Sequence, residues 1–171
     1  EDCRATLAAL RTLGVDISEA ADGTLQVRGR GPEVLREPES VLDAGNSGTS
    51  LRLLAGLLAG RPFCSLLAGD ASLCRRPMRR VVDPLRAMGA TLLGRDNGGF
   101  PPLAIRGGRL RGVAWSSPIA SAQVKSAILL AGLQAAGETS VTEPILSRDH
   151  TERMLSAFGL VARRDGTTVT V

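Results

Sequence analysis

The stretch Leu42-Asp43-Ala44-Gly45-Asn46-Ser47-Gly48-Thr49-Ser50-Leu51-Arg52, running into Leu53-Leu54-Ala55-Gly56-Leu57-Leu58-Ala59-Gly60, decides the fold. A turn of small polar residues opens directly into an apolar helix. Asn46, Ser47 and Thr49 are N-cap residue types, whose side-chain oxygens accept from the free N–H groups of a first helical turn. Leu51, Leu54, Ala55 and Leu58 form one helical stripe. Leu53 and Leu57 make the helix apolar nearly all round, so it is expected to be buried. Gly45 and Gly48 let the backbone come close to a ligand. A buried helix with an open polar N-terminus offers unpaired N–H groups and the positive end of its dipole, a combination that binds phosphate or carboxylate. The same residues also fit an ordinary capped core helix.

Working outward, the helix has a near-duplicate. Leu53-Leu54-Ala55-Gly56-Leu57 is matched by Leu129-Leu130-Ala131-Gly132-Leu133, inside a second apolar helix expected over Ala122–Ala136. Strands are expected after each, at Phe63–Leu67 and Thr139–Thr142. A second pattern occurs three times: a helix, a Leu, Met or Phe, a Gly that ends the helix, a strand, a Gly turn and a returning strand. The first copy has a helix from Cys3 to Leu13, a strand at Val15–Ile17, a turn at Asp22-Gly23 and a return at Leu25–Val27. The second has a helix over Pro77–Met88, a strand at Ala90–Leu93, a turn over Asp96–Gly99 and a return at Leu103–Ile105. The third opens on Asp149-His150-Thr151-Glu152, read as a capping box, and its helix runs to Phe158. Its strands are expected at Leu160–Ala162 and Thr168–Val171, with the turn at Asp165-Gly166.

Joined to the buried helices, these copies give a unit of strand, helix, strand, helix, strand, strand, repeating at roughly 70 residues. The expected class is α/β (α+β): three βαβαββ units around buried helices, in one domain over residues 1–171. The repeats fall at approximately 1–38 (partial), 39–107 and 108–171. Because the first copy lacks its leading half, the chain is expected to start inside a larger protein. Approximate threefold symmetry would bring the polar helix starts Asn46–Thr49 and Ser116–Ser121 onto one face, as an anion site of N–H groups and hydroxyls. The segments Gly69–Pro77 and Ile145–Asp149 are expected to border it.

Composition narrows the function. The chain is 43% hydrophobic and 22% charged, as a globular protein is, and contains no apolar run long enough for a membrane span. Its net charge of +4 comes almost wholly from Arg and suits anionic small ligands as well as nucleic acid. With 2% aromatic residues and no Tyr, it lacks the stacking platform of a single-strand nucleic-acid binder. Cys3, Cys64 and Cys74 are odd in number and lack metal-type spacing, which points to a reducing, cytoplasmic setting and no metal.

Four segments together resemble the 5-enolpyruvylshikimate-3-phosphate synthase family. They are Gly45-Asn46-Ser47-Gly48-Thr49-Ser50-Leu51-Arg52, Gly69-Asp70 with Arg76-Pro77-Met78, Ser121-Ala122-Gln123-Val124-Lys125-Ser126-Ala127, and Ser147-Arg148-Asp149-His150-Thr151-Glu152. The resemblance covers essentially the whole chain in the right order. It implies a monomeric enzyme of two domains, this chain being most of one of them and needing the other as partner. It further implies transfer of the enolpyruvyl group of phosphoenolpyruvate to the 5-hydroxyl of shikimate 3-phosphate, without metal or organic cofactor.

By resemblance, Gly48, Arg76 and Gln123 bind phosphoenolpyruvate, and Ser121, Ala122, Gln123 and Ser147 bind shikimate 3-phosphate. The planar fork of Arg76 suits a phosphate. Asn46, Thr49 and Arg52 are placed in the supporting layer, and Lys125 on the surface or in that layer. A catalytic triad of Ser147, Asp149 and His150 is excluded by their adjacency on one helix start. Ala122 stands where many relatives carry a serine, which removes one phosphate hydroxyl. The family's Lys-Ser segment, its following Arg and its proton-transfer groups are absent from residues 1–171, so no catalytic residue is assigned and the chain alone is expected to bind without turnover. Two alternatives share parts of this pattern. The related transferase acting on UDP-N-acetylglucosamine carries a reactive Cys five residues before the Arg-Pro pair, where this chain has Ala71. An RNA-end-processing or binding module of similar repeats would show salt-sensitive RNA binding.

Overall fold

The computed structural model describes residues 2–171. Helix α1 (Asp2–Thr12) turns at Gly14, whose φ of 94° suits glycine, into the antiparallel hairpin β1 (Asp16–Glu19) and β2 (Leu25–Arg28).

The next elements are β3 (Leu42–Asp43), α2 (Gly48–Ala59), β4 (Cys64–Ala68), α3 (Arg79–Ala87), β5 (Thr91–Gly94), the one-turn α4 (Arg95–Gly98) and β6 (Phe100–Arg106). They form a sheet in the order β3-β4-β6-β5, in which only β3 and β4 are parallel. Short β7 (Leu110–Arg111) leads to β8 (Ala114–Ser116), α5 (Ala122–Gly132), β9 (Ala135–Ala136), β10 (Ser140–Thr142), α6 (His150–Ala157), β11 (Arg163–Asp165) and β12 (Thr168–Thr170). Their sheet has the order β8-β10-β12-β11, again with only its first pair parallel. Two stretches of different sequence therefore adopt one topology. In both, the parallel pair is bridged by a buried helix and the antiparallel pair at the far edge by a short turn.

Helices α2 and α5 lie side by side in the middle. Gln123 at the start of α5 reaches Thr49 and Arg52 at the start of α2. Beyond the other end, Gln134 donates to Leu57 O at 3.1 Å and accepts from Arg61 Nε at 2.8 Å. The helices are therefore parallel, and both N-termini open on the same face. Their close approach depends on Gly56, where a Cβ would fall 2.2 Å from Ala127 O. Leu51, Leu54, Leu58, Ala127, Ile128 and Leu129 fill the shared core. Burying each leucine contributes about 2 kcal/mol. Among the described residues, no helix is long and apolar enough to cross a membrane.

Two local expectations are corrected. Helix α5 ends at Gly132, not Ala136, because Ala135–Ala136 pairs in parallel with β7. Gly132 at that end lies against Thr139, 2.7 Å from where a Cβ would stand. The strand expected at Leu160–Ala162 lies at Arg163–Asp165 instead. A two-residue turn sets that register: Asp165 pairs with Thr168, leaving Gly166, at φ 53°, and Thr167 between them. The turn after β5 is a left-handed helical turn, with Asp96 and Asn97 at φ 49° and 52°.

Candidate functional site

At the start of α2, only one of the three expected capping side chains caps. Ser47 Oγ accepts from Ser50 N–H at 3.1 Å, in the geometry of an N-cap. Asn46 points the other way and links two loops: its Nδ2 donates to Asp70 Oδ2 at 2.7 Å, and its Oδ1 accepts from Arg76 Nη2 at 2.7 Å. The Asp70 N–H donates to Gly45 O at 2.8 Å, which ties the loop after β4 to the turn before α2. Arg76 is thereby aimed at the helix start. A Cβ on Gly48 would stand 2.7 Å from Arg52 Nη1 and 3.0 Å from Arg76 Nη1, so two guanidinium groups close over a helix N-terminus that has no side chain of its own there.

At the start of α5, Ser121 is the N-cap and accepts from Val124 N–H at 3.4 Å. Gln123 bridges the two helix starts, accepting from Arg52 Nη1 at 2.7 Å and donating to Thr49 Oγ1 at 2.7 Å. Ser147, in the loop after β10, does not cap a helix. Its hydroxyl donates to Glu143 Oε2 at 2.7 Å and its N–H donates to the same oxygen at 3.3 Å. Glu143 Oε1 accepts from Ser121 N–H at 2.8 Å. One carboxylate therefore holds both serines.

Behind that carboxylate lies Lys125, the only lysine of the chain. It is not a surface residue. Its side chain is 1% exposed, with Nζ 3.4 Å from Glu143 Oε2 and 2.6 Å from Glu152 Oε1. The capping box expected at Asp149–Glu152 is corrected with it: Asp149 makes no side-chain cap, and Glu152 turns inward to Lys125. A lysine within the apolar run Val124–Leu129 is the signal that marks this group, since a lysine that deep requires acidic partners. Nothing in the sequence pattern singles out Glu143 itself. His150 is exposed at the start of α6 and makes no triad.

The electrostatics favour an anion. Burial lowers the pKa of Arg52, and the positive charges of Arg76 and Arg80 lower it further. An arriving phosphate would relieve that repulsion. Hydrogen bonds from Asn46 and from Leu73 N–H, with the charge of Arg76, hold Asp70 below the ordinary carboxylate value. Burial raises the pKa of Glu143, but hydrogen bonds from Ser147 and Ser121 and the charge of Lys125 outweigh it, and the net shift is downward.

A cavity of about 480 Å³ is lined by Ala120, Ser121, Ala122, Gln123, Leu146, Ser147 and Arg148. A neighbour of about 190 Å³ shares Ala122, Gln123 and Arg148 and reaches Thr49 and His150. Another recess, beside Glu37, Glu39 and Cys64, carries two carboxylates and suits no dianion. The nine residues singled out from the sequence (Asn46, Gly48, Thr49, Arg52, Arg76, Ser121, Ala122, Gln123 and Ser147) thus border one face, built from the two helix starts and the loops after β4 and β10.

A family model described as EPSP synthase (3-phosphoshikimate 1-carboxyvinyltransferase) matches residues 1–171. The 3-phosphoshikimate 1-carboxyvinyltransferase of Desulforudis audaxviator is 58% identical over 171 residues, which is all of this chain and 40% of that protein. That of Brevibacillus brevis is 57% identical over 170 residues, 99% of this chain and 40% of the relative. A solved EPSP synthase from Acinetobacter baumannii superposes with a TM-score of 0.94 at 51% identity, covering 98% of this chain and 38% of that one. The chain thus spans about 40% of the length of the curated relatives it matches.

Proposed function

The chain belongs to the EPSP synthase family, and on that premise we propose that it is the part of such an enzyme that grips both substrates. Shikimate 3-phosphate is held by Ser121, the Ala122 N–H, Gln123 and Ser147. Phosphoenolpyruvate is held by the Gly48 N–H, Arg76 and Gln123. Asn46 aims Arg76, and Thr49 and Arg52 hold Gln123 between the two ligands. The single observation that supports this most is the bridge from Arg52 and Thr49 to Gln123, which sets two helix N-termini side by side.

The reaction so read is transfer of the enolpyruvyl group. The 5-hydroxyl oxygen bonds to C2 of phosphoenolpyruvate and gives up its proton while C3 gains one. The tetrahedral adduct then loses inorganic phosphate together with a proton from C3, which restores the vinyl group. A preorganised array of cations and N–H donors suits the negative charge on both substrates. The groups that move protons are assigned to a second domain, so this chain binds without turnover. Residues 39–107 and 108–171 are taken as complete units and 1–38 as a partial one, a division that the matching strand orders support. A cytoplasmic, monomeric enzyme is part of the same reading; the three free cysteines fit a reducing compartment.

UDP-N-acetylglucosamine is not favoured as acceptor. Ala71 stands at the expected cysteine position, and the Cys74 thiol is turned back onto Gly69 O at 3.3 Å. The test is an amide NMR titration of the 171-residue chain. Shikimate 3-phosphate should shift Ser121, Gln123 and Ser147, and phosphoenolpyruvate added afterwards should shift Gly48 and Arg76. Shifts confined to other surfaces would sink the proposal.

A further inference from the structure

The two serines proposed to meet the substrate phosphate are tied to one buried carboxylate. Glu143 is 3% exposed and lies between them, just after β10. Its Oε1 takes the Ser121 N–H and its Oε2 takes the Ser147 hydroxyl. The hydroxyls are not left in equivalent states. Ser121 Oγ accepts from Val124 N–H, so its own proton is free to donate outward. The Ser147 proton is committed to Glu143 and must turn away before a phosphate oxygen can take it. Lys125 Nζ faces the same Oε2 at 3.4 Å, so its charge stays beside that oxygen when the hydroxyl leaves. Glu152, at 2.6 Å, holds the ammonium from its other side. A compact ammonium with rotatable donors suits this three-way contact better than the fixed guanidinium fork used for the chain's other cations.

We infer that Glu143, anchored by Lys125, is a positioning residue for phosphate recognition: it fixes the Ser121 backbone and parks the Ser147 hydroxyl until the substrate phosphate takes it over. The inference rests on the proposed substrate reading. It adds that the precision of the phosphate subsite is set from behind, by a buried ion pair.

The experiment compares the 171-residue chain with Glu143→Ala and Glu143→Gln. It measures binding of shikimate 3-phosphate and of unphosphorylated shikimate by NMR titration, together with amide hydrogen exchange in the free protein. In the free parent chain, the Ser121 and Ser147 amides should exchange slowly despite lying outside helices and strands. Glu143→Ala should bind shikimate 3-phosphate about tenfold more weakly, with shikimate binding unchanged. Glu143→Gln, which keeps an acceptor for Ser121 N–H but loses the charge that faces Lys125, should recover part of the loss. A general loosening of the fold would weaken both ligands alike and would not be rescued by glutamine. Should Glu143→Ala fail to fold, the glutamine variant and the exchange rates of the parent carry the test. Unchanged phosphate affinity in folded Glu143→Ala, or fast exchange at both serines, overturns the inference alone. Failure of the parent chain to bind shikimate 3-phosphate overturns the substrate reading, and the inference with it.

Discussion

Arg52 Nη1 donates to Gln123 Oε1 at 2.7 Å, across 71 positions of sequence. The bond joins the first turns of two parallel buried helices, and the other end of the same amide donates to Thr49 Oγ1. Gln123→Ala removes both bonds and leaves a half-buried guanidinium with only the Gly48 and Pro77 carbonyls, at 3.4 and 3.3 Å. The expected loss is about 1–2 kcal/mol of unfolding free energy in urea, together with loss of the phosphoenolpyruvate-dependent shifts at Gly48. A variant as stable as the parent that still responds to phosphoenolpyruvate would show that the bridge is incidental.

The convergence of these two turns was legible because it follows from repetition. Leu53–Leu57 and Leu129–Leu133 mark equivalent helices, and equivalent helices in repeated units present equivalent ends. Less legible was whatever depends on a single long-range partner. Asn46 has the chemistry of a cap, yet it serves Asp70 and Arg76, 24 and 30 positions away. Glu152 has the spacing of a capping box, yet Lys125 draws it inward. In each case a local rule lost to a stronger charged partner that sequence spacing does not reveal. The early end of α5 was hidden for a similar reason, since Ala135–Ala136 has no strand character until β7 lies beside it.

Gly56→Ala tests how tightly the central helices meet. Alanine favours a helix over glycine by about 1 kcal/mol, so helix propensity alone predicts a gain. Against that, the new Cβ would fall 2.2 Å from Ala127 O, a backbone atom that moves only with its helix. The clash wins, and a net loss of about 2–3 kcal/mol is expected. Gly29→Ala is the control, since nothing lies within 4 Å of its Cβ position, and it should change stability by less than about 0.5 kcal/mol. Thermal unfolding of the two variants decides the matter.

Gly48→Ala presents the opposite case. Its Cβ would meet the tips of Arg52 and Arg76, at 2.7 and 3.0 Å, and both are ends of flexible side chains that can swing aside. The fold should therefore be retained, with stability within about 1 kcal/mol of the parent. What changes is the pocket, because the guanidinium groups are pushed outward and a methyl takes the space beside the helix N–H groups. Phosphoenolpyruvate binding should fall at least about tenfold, while shikimate 3-phosphate, held from the α5 side, is little affected. Equal losses for both ligands would show that the two subsites do not divide between the helices.

Glu143 gives the fold a definite pH dependence. Its folded pKa lies below the ordinary carboxyl value, so the folded state favours its charged form. The stabilisation it supplies is fully present above the unfolded pKa, and it is lost as pH falls through the folded one. The charged groups facing it are Lys125, from α5, and beyond that Glu152, from α6. The neutral donors are Ser121 and Ser147. Glu143→Gln removes the titration but retains the shape and one acceptor. The parent should exceed this variant in urea midpoint at about pH 7, and the difference should close on acidification through the carboxylate range. The exposed carboxylate of Asp70 is held low alike in both proteins, so to first order its contribution cancels in the difference. A gap between the two midpoints that stays constant down to about pH 3 would mean that the carboxylate acts through shape alone, and that its charge does not hold Lys125 and the two serines in place.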